Sequence, residues 1–405
     1  MLNKKKILFI SQYFYPETFR GNDIAFHLAK EGHDVHVVCG IPNYPKGKYY
    51  AGYGLLKRRC EIVNGVRVTR LPVIPRGSSK IMLVLNYFSY FIVAWFWVLF
   101  HSITHKYDFV FCQQLSPVMI SAPAVLYKRL RKVPLYTWVL DIWPESLSAA
   151  AGIKNKYILS FFDQFVKSEY KFSDKILMSS NSFRKCILKY GPYDNKLVYF
   201  PQWADGNQFD STSEKGLPSM PNGFVIMFAG AIGEAHNMES NMRAALLTKE
   251  HEDIHWVYVG DGRKLDWIRN YVRNNRLESI VHTLGRFPSN MMPLFFKKAD
   301  VLLVSLSDTP LFNLYAPAKI SSYMASGRPI VGALNGEGAE VIKTAGCGWC
   351  VNAGDAEALA NLVILLSKLE KSELNEIGHN GLKYYNQYFD KELCLRKLDE
   401  MIMRL

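Results

Sequence analysis

The residues best suited to chemistry lie in the segment APAKISSYMASGRPIVGALNGEGAEVI, residues 316–342. Pro317 and Gly327 are typical of the start and the end of a helix, which places Lys319 and Tyr323 one turn apart on one face. A short apolar strand follows, and we expect an acidic, glycine-rich loop after it, with Gly336, Glu337, Gly338 and Glu340. Because a lysine and a helix N-terminus favour phosphate and carboxylates accept hydrogen bonds from hydroxyls, the segment predicts a site for a nucleotide sugar.

Three further strands in the second half of the chain end in polar or glycine-rich turns. The turns GAIGEAHN, VGDG and LGR contribute the candidate donor-binding residues Gly230, Gly233, Asp261, Gly262 and Arg286. The carboxyl ends of parallel strands are where ligands bind in open α/β sheets. We expect Lys319 and Arg286 to stabilise a departing diphosphate. No D-x-D occurs in the sequence, so no metal bound between paired carboxylates is predicted.

Loops of the first half supply a second set of polar residues. The first strand runs into QYFYPETFRGN and the second into IPNYPKGKYYAGYG, which contribute the candidate acceptor-binding residues Glu17, Arg20, Gly21, Asn22 and Asn43. Asp141 follows the strand VPLYTWVL and is the candidate catalytic carboxylate. Glu145, in DIWPES, is an acceptor-binding candidate, although a helix cap explains it equally well. The first turn lacks G-x-G-x-x-G, so NAD binding by this half is not expected.

The alternation of apolar strands and helices predicts an α/β fold with two doubly wound, Rossmann-like domains facing across a cleft. The 405 residues allow two to three domains. We predict a first domain over 1–205, a linker over 206–222 rich in Gly, Pro and Ser, a second domain over 223–387, and a final helix over 388–405.

Charge is unevenly distributed along the chain. The net charge is +13, and residues 1–210 carry 28 basic and 14 acidic residues against 21 and 22 in the remainder. A basic first half indicates an anionic partner, either a membrane surface, nucleic acid or an anionic substrate, or simply solvated lysines. No nucleic-acid-binding module is recognisable, so nucleic acid is the least favoured of these partners.

The seven cysteines are scattered and odd in number, which is typical of a reducing cytoplasm. Cys347 and Cys350 form a C-x-x-C without the second pair or the histidines of a zinc site. We therefore interpret them as small residues of a buried strand.

The most hydrophobic stretch is residues 81–103, IMLVLNYFSYFIVAWFWVLFHSI. Its length would span a bilayer. However, the strand at 107–114 is predicted to join the same sheet as residues 4–39, and a spanning helix would separate them. Aromatic residues and the flanking basic clusters at 57–59 and 128–132 favour contact with an anionic membrane surface. A helix buried in the core is the alternative.

Several motifs resemble glycosyltransferase family 4. These are QYFYPET, GHDVHVVCGIPNYPKG, LDIWPESL, FAGAIGEAHN, VGDGRKLDWI, LGRFPSNMMP, APAKISSYMASGRPIVGAL and GEGAEVI, and IPNYPKG and DIWPES are similar to the N-acetyl-L-fucosamine and colanic-acid-type transferases. The resemblance implies a GT-B fold, UDP bound by the second domain and a sugar acceptor on polyprenyl diphosphate bound by the first. It also implies retention at the anomeric carbon and a last helix that crosses back to the first domain.

The chain departs from the family pattern at its glutamate pair. Many members carry two glutamates eight residues apart, where this chain has Leu314 and Ser322. We therefore expect Glu337 and Glu340 to contact the ribose or the donor sugar, beside Ser322. An Arg and a Lys common after the first strand of the second domain are also missing, and Lys319 and Arg286 are the expected substitutes.

The sequence thus predicts a cofactor-free, metal-independent sugar transferase at the inner face of the cytoplasmic membrane, acting in O-antigen or capsule assembly. Two alternatives stay open. A nucleotide-sugar epimerase can share the two-domain plan but needs no lipid acceptor, and a non-catalytic membrane-surface module would tolerate loss of Asp141.

Overall fold

The computed structural model describes residues 4–153, 155–204 and 216–405. The chain forms two compact units, one of residues 1–200 with 395–405 and one of residues 201–394. Most of the predicted linker, residues 206–215, lies outside the described residues.

The first unit is built on an eight-stranded sheet with the order β3-β4-β2-β1-β5-β6-β7-β8. All neighbours pair in parallel except β3 with β4. The central strands are apolar and buried on both faces, as expected for a parallel sheet covered by helices. The strands are β1 (Lys6–Ile10), β2 (Asp34–Gly40), β3 (Cys60–Val63), β4 (Val66–Leu71), β5 (Phe109–Gln114), β6 (Leu135–Val139), β7 (Lys175–Met178) and β8 (Leu197–Tyr199).

The helices up to residue 200 are α1 (Arg20–Lys30), α2 (Lys80–Thr104), α3 (Ala122–Arg131), α4 (Glu145–Ala151), α5 (Lys156–Phe172) and α6 (Phe183–Leu188). The C-terminal residues 395–405 belong to the same unit. There, Asp399 Oδ1 lies 2.8 Å from His33 Nε2, and the Tyr136 hydroxyl donates to the carbonyl of Met401 at 3.2 Å.

Helix α2 has two apolar faces. One side packs into the core through a stripe at four-residue spacing, Asn86, Tyr90, Ala94, Val98 and Ser102. The opposite side is exposed, with Phe96 at 54%, Phe100 at 65% and Ile103 at 71%. In the part of the chain that the structure describes, α2 is the one helix long and apolar enough to cross a membrane, by length and composition only.

The second unit has a six-stranded, fully parallel sheet with the order β11-β10-β9-β12-β13-β14. Its strands are β9 (Phe224–Ala229), β10 (Ile254–Val259), β11 (Val281–Gly285), β12 (Val301–Ser305), β13 (Ile330–Ala333) and β14 (Gly348–Val351). Its helices are α7 (Met238–Leu247), α8 (Leu265–Asn275), α9 (Met292–Lys297), α10 (Ala318–Ala325), α11 (Glu337–Thr344), α12 (Ala356–Leu366) and α13 (Lys371–Tyr388); α14 (Lys391–Met403) follows.

Two local predictions were wrong. The segment GEGAE is not a loop, because α11 begins at Glu337 directly after Gly336, whose φ of +69° lets the chain turn into the helix. The first loop is also shorter than predicted, because α1 begins at Arg20. Arg20, Gly21 and Asn22 are therefore residues of the first helical turn.

Candidate active site

In the second unit, three strand ends lie against one another. The amide of Gly230 donates to the carbonyl of Val259 at 2.8 Å, and the amide of Gly260 donates to the carbonyl of Gly285, also at 2.8 Å. A Cβ on Gly260 would lie 1.9 Å from the carbonyl oxygen of Gly230, so no side chain fits between these backbones. The ends of β9, β10 and β11 thus form a continuous glycine-lined edge.

Lys319, on α10, lies across this edge. A Cβ on Gly230 would come within 2.8 Å of Lys319 Cε, and Lys319 Nζ lies 3.5 Å from the centroid of the Phe228 ring. The buried Nζ has no hydrogen-bond partner in the part of the chain that the structure describes, and burial lowers the pKa of the Lys319 ammonium to about 7. One turn on, Tyr323 exchanges hydrogen bonds with the backbone of Ala229. An anion at the end of β9 would supply the missing partner of Lys319.

His236 also lies at this edge, and the sequence reasoning missed it. Its Nδ1 lies 3.1 Å from the carbonyl oxygen of Ser305 and its ring packs on Phe228. Burial, and then the neighbouring Lys319, lower the pKa of His236 to about 4, so the ring is neutral at pH 7. The motif GAIGEAHN contained the signal, a histidine six residues after Gly230.

The two carboxylates of α11 have different environments. Glu337 is buried in the first turn, whereas Glu340 is exposed and lies 3.7 Å from Lys343. Gly336 has the carbonyl of Asn313 where a Cβ would be, at 2.1 Å, and a Cβ on Gly338 would lie 2.6 Å from the Leu334 side chain. Protein packing therefore explains both glycines, and only one of the two carboxylates is buried.

The other predicted donor-binding residues surround the same strand ends. Arg286 is exposed directly after β11, and the Asp261 carboxylate accepts from the amide of Gly262 at 2.7 Å. A Cβ on Gly262 would lie 2.2 Å from the carbonyl of Ile232, whereas a Cβ on Gly233 would meet nothing within 4 Å. The Ser322 hydroxyl donates to the carbonyl of Ala318 within its own helix at 3.4 Å.

In the first unit, Asp141 lies just beyond β6 and is held by three side-chain donors. The Ser116 and Ser146 hydroxyls donate to its two carboxylate oxygens, and Trp143 Nε1 donates at 3.2 Å. Ser116 follows β5, the neighbouring strand, so the orientation of the carboxylate depends on two strand ends and on the DIWPES loop. Ser116 and Ser146 were not predicted as site residues.

Glu17 and Asn43 join the loops of the first unit. Glu17 is 1% exposed, and its Oε1 accepts from the amides of Asn43 and Tyr44 at 2.8 and 2.6 Å. Burial raises the pKa of Glu17 to about 7, against the effect of these backbone donors. Asn43, also buried, accepts from the amide of Arg76 at 3.0 Å, and Asn22 donates to the carbonyl of Glu17 at 2.7 Å. These contacts are within the protein, so Glu17, Asn22 and Asn43 stabilise the two loops that follow β1 and β2.

The remaining predicted acceptor residues have other neighbours. A Cβ on Gly21 would lie 2.0 Å from Gln113 Oε1, so the close packing of α1 against β5 requires a glycine at this position. Arg20, the first residue of α1, is half-buried and has contacts within the protein. Glu145 begins α4 and lies 3.6 Å from Lys189 Nζ.

An arginine framed by tyrosines was missed by the sequence reasoning. Arg76 Nη1 donates to the Tyr13 hydroxyl at 3.1 Å, and its guanidinium carbon lies 5.2 and 5.7 Å from the Tyr44 and Tyr87 ring centroids. Burial, and to a smaller extent the Asp141 carboxylate, raise the pKa of Tyr87, against the effect of Arg76. The IPRG segment that carries Arg76 has no distinctive pattern, so no signal in the sequence identified it.

Among the residues that the structure describes, no group of three His, Cys, Asp or Glu side chains is placed to hold a metal ion. Cys347 is buried immediately before β14 and Cys350 lies within that strand.

Two Rossmann-like units, each built on a mainly parallel sheet with polar residues at its strand ends, have the architecture of the GT-B fold. Residues 21–203 match the family described as glycosyl transferase 4-like domain, and residues 223–368 match the family described as glycosyl transferases group 1. Together the two matches cover most of the chain, which therefore belongs to the glycosyltransferases built from these two domains.

Relatives and solved structures agree with this assignment. WcaI of Escherichia coli K12, named as a colanic acid biosynthesis glycosyl transferase, is 23% identical over 91% of this chain and 92% of its own length. Sucrose-phosphate synthase from Thermosynechococcus elongatus has a TM-score of 0.75 at 13% identity, covering 99% of both chains. HepE of Anabaena, solved in complex with UDP, has a TM-score of 0.68 at 16% identity and covers 99% of this chain and 100% of its own. At these identities the solved structures show the fold alone.

Proposed function

We propose that this glycosyltransferase moves a sugar from a UDP-sugar to a sugar carried on polyprenyl diphosphate, in the assembly of a surface polysaccharide such as O-antigen or capsule. The observation that carries the proposal is the buried Lys319 ammonium on the glycine-lined edge of the second unit. It has no hydrogen-bond partner among residues 4–153, 155–204 and 216–405. A diphosphate is the kind of anion that such a group would bind. The HepE complex with UDP and the name of WcaI support the donor class and the pathway.

In the proposed reaction, Asp141 orients the acceptor hydroxyl and accepts its proton as the oxygen attacks the anomeric carbon of the donor. The serine and tryptophan donors around Asp141 fix the direction of its carboxylate. UDP leaves as its glycosidic C–O bond breaks, and Lys319, with Arg286, stabilises the charge that develops on the diphosphate. No metal takes part in this scheme. Retention at the anomeric carbon, which the family resemblance implies, requires the acceptor oxygen to attack from the same face that UDP leaves.

Glu337, at the start of α11, is the candidate acceptor of hydrogen bonds from donor hydroxyls. It is buried and is the first residue of the helix that follows Gly336. Ser322 and the backbones around Gly233, Asp261 and Gly262 complete the proposed donor site. A role of Glu340 in donor binding stays a prediction, since this side chain is exposed and pairs with Lys343. For the donor sugar we propose N-acetyl-L-fucosamine or a related N-acetylhexosamine.

The proposed location is the inner face of the cytoplasmic membrane, with the exposed side of α2 in contact with lipid. The exposed face runs along the helix from Ile81 to Ile103, and an exposed apolar surface of this length typically marks a membrane or partner contact. Phe91 of α2 packs edge-on against Phe165 of α5 at 5.5 Å, which extends the surface toward the exposed Phe161.

The test is a transfer assay with a panel of UDP-sugars and a polyprenyl-diphosphate-linked N-acetylglucosamine acceptor, in the presence of EDTA. We expect a glycosylated lipid product with at least one donor and no loss of rate in EDTA. A change of the donor sugar without acceptor-dependent product would indicate an epimerase instead. Absence of any UDP-sugar binding would overturn the proposal, and loss of rate in EDTA would overturn its metal-free mechanism.

A further inference from the structure

We propose that Arg76 binds the diphosphate of the lipid-linked acceptor, in a subsite framed by Tyr13, Tyr44 and Tyr87. This inference rests on the acceptor class proposed above. It assigns a residue that neither the sequence motifs nor the catalytic scheme uses.

The guanidinium of Arg76 is available to a ligand. Its side chain is half-buried, and within the described residues no carboxylate lies within 4.0 Å of it. Arg76 Nη1 donates to the Tyr13 hydroxyl, and the guanidinium also hydrogen-bonds Tyr87. Because a guanidinium carries five donors in a planar fork, donors remain for a ligand. Such a fork matches the paired oxygens of a phosphate.

Arg70, six residues earlier, shows how an arginine with a purely structural role looks in the same unit. Its side chain is fully buried, Nη1 lies 2.7 Å from Glu61 Oε1, and Nη2 donates to the carbonyl of Tyr15 at 2.8 Å. Arg76, in contrast, is only half-buried and is not paired with a carboxylate of the described residues. Its neighbours are aromatic faces, which attract a cation without neutralising it.

The loop that carries Arg76 is fixed before any ligand arrives. The amide of Arg76 donates to Asn43 Oδ1 at 3.0 Å, and the amide of Gly77 donates to the carbonyl of Gly47 at 3.0 Å. On the other side, the buried Asn86 of α2 donates to the carbonyl of Ile74 at 2.6 Å. A preorganised arginine loses little conformational freedom when it binds its ligand.

The position of Arg76 fits the order of groups in a lipid-linked sugar. Tyr87 contacts the Arg76 guanidinium and interacts electrostatically with Asp141, where the acceptor hydroxyl is proposed to bind. Helix α2 begins four residues after Arg76, and its first two turns expose Ile81, Val84 and Leu85. The acceptor sugar would thus lie at the Asp141 carboxylate and the diphosphate at the Arg76 guanidinium. The lipid would lie along the apolar face of α2.

A binding experiment with the full chain tests the inference without knowledge of the donor sugar. Farnesyl diphosphate and farnesol, titrated by calorimetry, differ in the diphosphate group alone. We expect the wild-type protein to bind farnesyl diphosphate about tenfold or more tightly than farnesol, because hydrogen bonds to a charged group are of that strength. Arg76→Ala should remove the difference and Arg76→Lys should keep part of it.

The matched control is Arg129→Ala. Arg129 also lies over an aromatic ring, that of Phe172 at 5.1 Å, but on α3, so its removal should leave the preference for farnesyl diphosphate unchanged. An unchanged preference in Arg76→Ala, or no preference in the wild type, would overturn the inference. Equal losses for farnesyl diphosphate and farnesol would do the same, because they would indicate a structural role.

Failure of this inference can be distinguished from failure of the proposed transferase activity. UDP binding by Arg76→Ala should equal that of the wild type, because Arg76 belongs to the first unit and the donor site to the second. Where transfer is measured, the substitution should raise KM for the lipid-diphosphate acceptor and leave KM for the UDP-sugar unchanged. An inactive wild type that still shows the Arg76-dependent preference would contradict the transferase proposal alone.

Discussion

Burial of the Lys319 ammonium destabilises the charged group in the free protein but favours the binding of an anion. Its ammonium is removed from water, and within the described chain Nζ has no hydrogen-bond partner, so burial shifts its pKa from the ordinary value of 10.5 to about 7. A bound diphosphate would favour the charged form and raise the pKa again. Binding of UDP should therefore be coupled to uptake of a proton.

This coupling gives the first prediction. Above pH 7 the affinity for UDP should fall, by up to about tenfold per pH unit, because the free protein must first be protonated at Lys319. Calorimetry in buffers with different ionisation enthalpies measures the proton uptake directly. Lys319→Met should weaken UDP binding by roughly 10-fold to 100-fold and abolish the pH dependence. A wild-type affinity that is constant from pH 7 to pH 9 would contradict this role.

Asp141 is predicted to act on the acceptor and not on the donor. Asp141→Asn keeps the shape of the side chain but removes the basic oxygen, so kcat/KM for transfer should fall by about 10²-fold to 10⁴-fold. UDP affinity should stay unchanged. Asp34→Asn is a suitable control, since Asp34 is half-exposed and pairs with Arg67 at 2.9 Å. Equal activity of the two variants would remove Asp141 from the mechanism.

Glu17 is predicted to make stability depend on pH. Its folded-state pKa of about 7 lies above the ordinary value of 4.5 because the carboxyl group is buried. Its contribution to stability is therefore fully present below pH 4.5 and is lost as the pH rises through 7. Glu17→Gln keeps an acceptor for the amides of Asn43 and Tyr44 but does not titrate.

Urea unfolding of the wild type and Glu17→Gln, followed at several pH values, measures this contribution. The difference in unfolding free energy should change by roughly 3 kcal/mol between pH 4.5 and pH 7.5, in favour of the variant at the higher pH. A constant difference would mean that Glu17 titrates normally in the folded protein. Comparison of the two chains at each pH cancels the titration of all other groups.

At the scale of elements, the turns after β9 and β13 contain glycines that differ in their surroundings. Gly233 has a φ of −136° and open space where a Cβ would lie, whereas Gly336 has a φ of +69° and the carbonyl of Asn313 in the way. Only the first can accept a methyl group without strain. Packing therefore requires a glycine at position 336 but not at position 233, where donor binding is the proposed role.

Alanine substitutions test this distinction. Gly233→Ala should leave the free energy of unfolding within about 0.5 kcal/mol of the wild type, yet weaken UDP binding if the donor lies against the β9 turn as proposed. Gly336→Ala should destabilise the protein by about 1–3 kcal/mol. Normal UDP binding by Gly233→Ala would place the donor away from this turn.

The strands were predictable from sequence because the parallel sheets are buried on both faces and their strands are continuous apolar runs. The start of α11 was not, since GEGAE has the composition of a loop and only the positive φ of Gly336 turns it into a helix start. Lys319 was recognised from its position on α10. Arg76 could not be, because its partners Tyr13 and Asn43 lie 63 and 33 residues away and only the fold brings them together.

At the scale of the whole molecule, charge and hydrophobicity are concentrated in the same part of the chain. The basic excess lies within residues 1–210 and the exposed apolar face lies on α2, at residues 81–103. A polar face opposite the apolar one is absent from α2, because its other side is packed in the core. Basic residues elsewhere in the first unit would then supply the attraction to anionic lipid.

Vesicle binding tests this arrangement. The full chain should bind vesicles rich in phosphatidylglycerol more tightly than phosphatidylcholine vesicles, and added salt should weaken the binding because exposed charges are screened. The double substitution Ile92→Glu and Phe96→Glu should weaken it at least about tenfold, since each side chain contributes about 1.5–3 kcal/mol when fully buried. Sedimentation with vesicles at low and high NaCl concentrations measures both effects.

Ile62→Glu provides the control for a general effect of added negative charge. Ile62 is 77% exposed on β3, outside α2, so this substitution should change vesicle binding little. Equal binding by the α2 variant and the wild type would place the contact elsewhere. The α2 variant should also retain transfer to a short, water-soluble acceptor, because Asp141 and Lys319 are untouched; losing that activity as well would indicate damage to the fold and not loss of membrane contact.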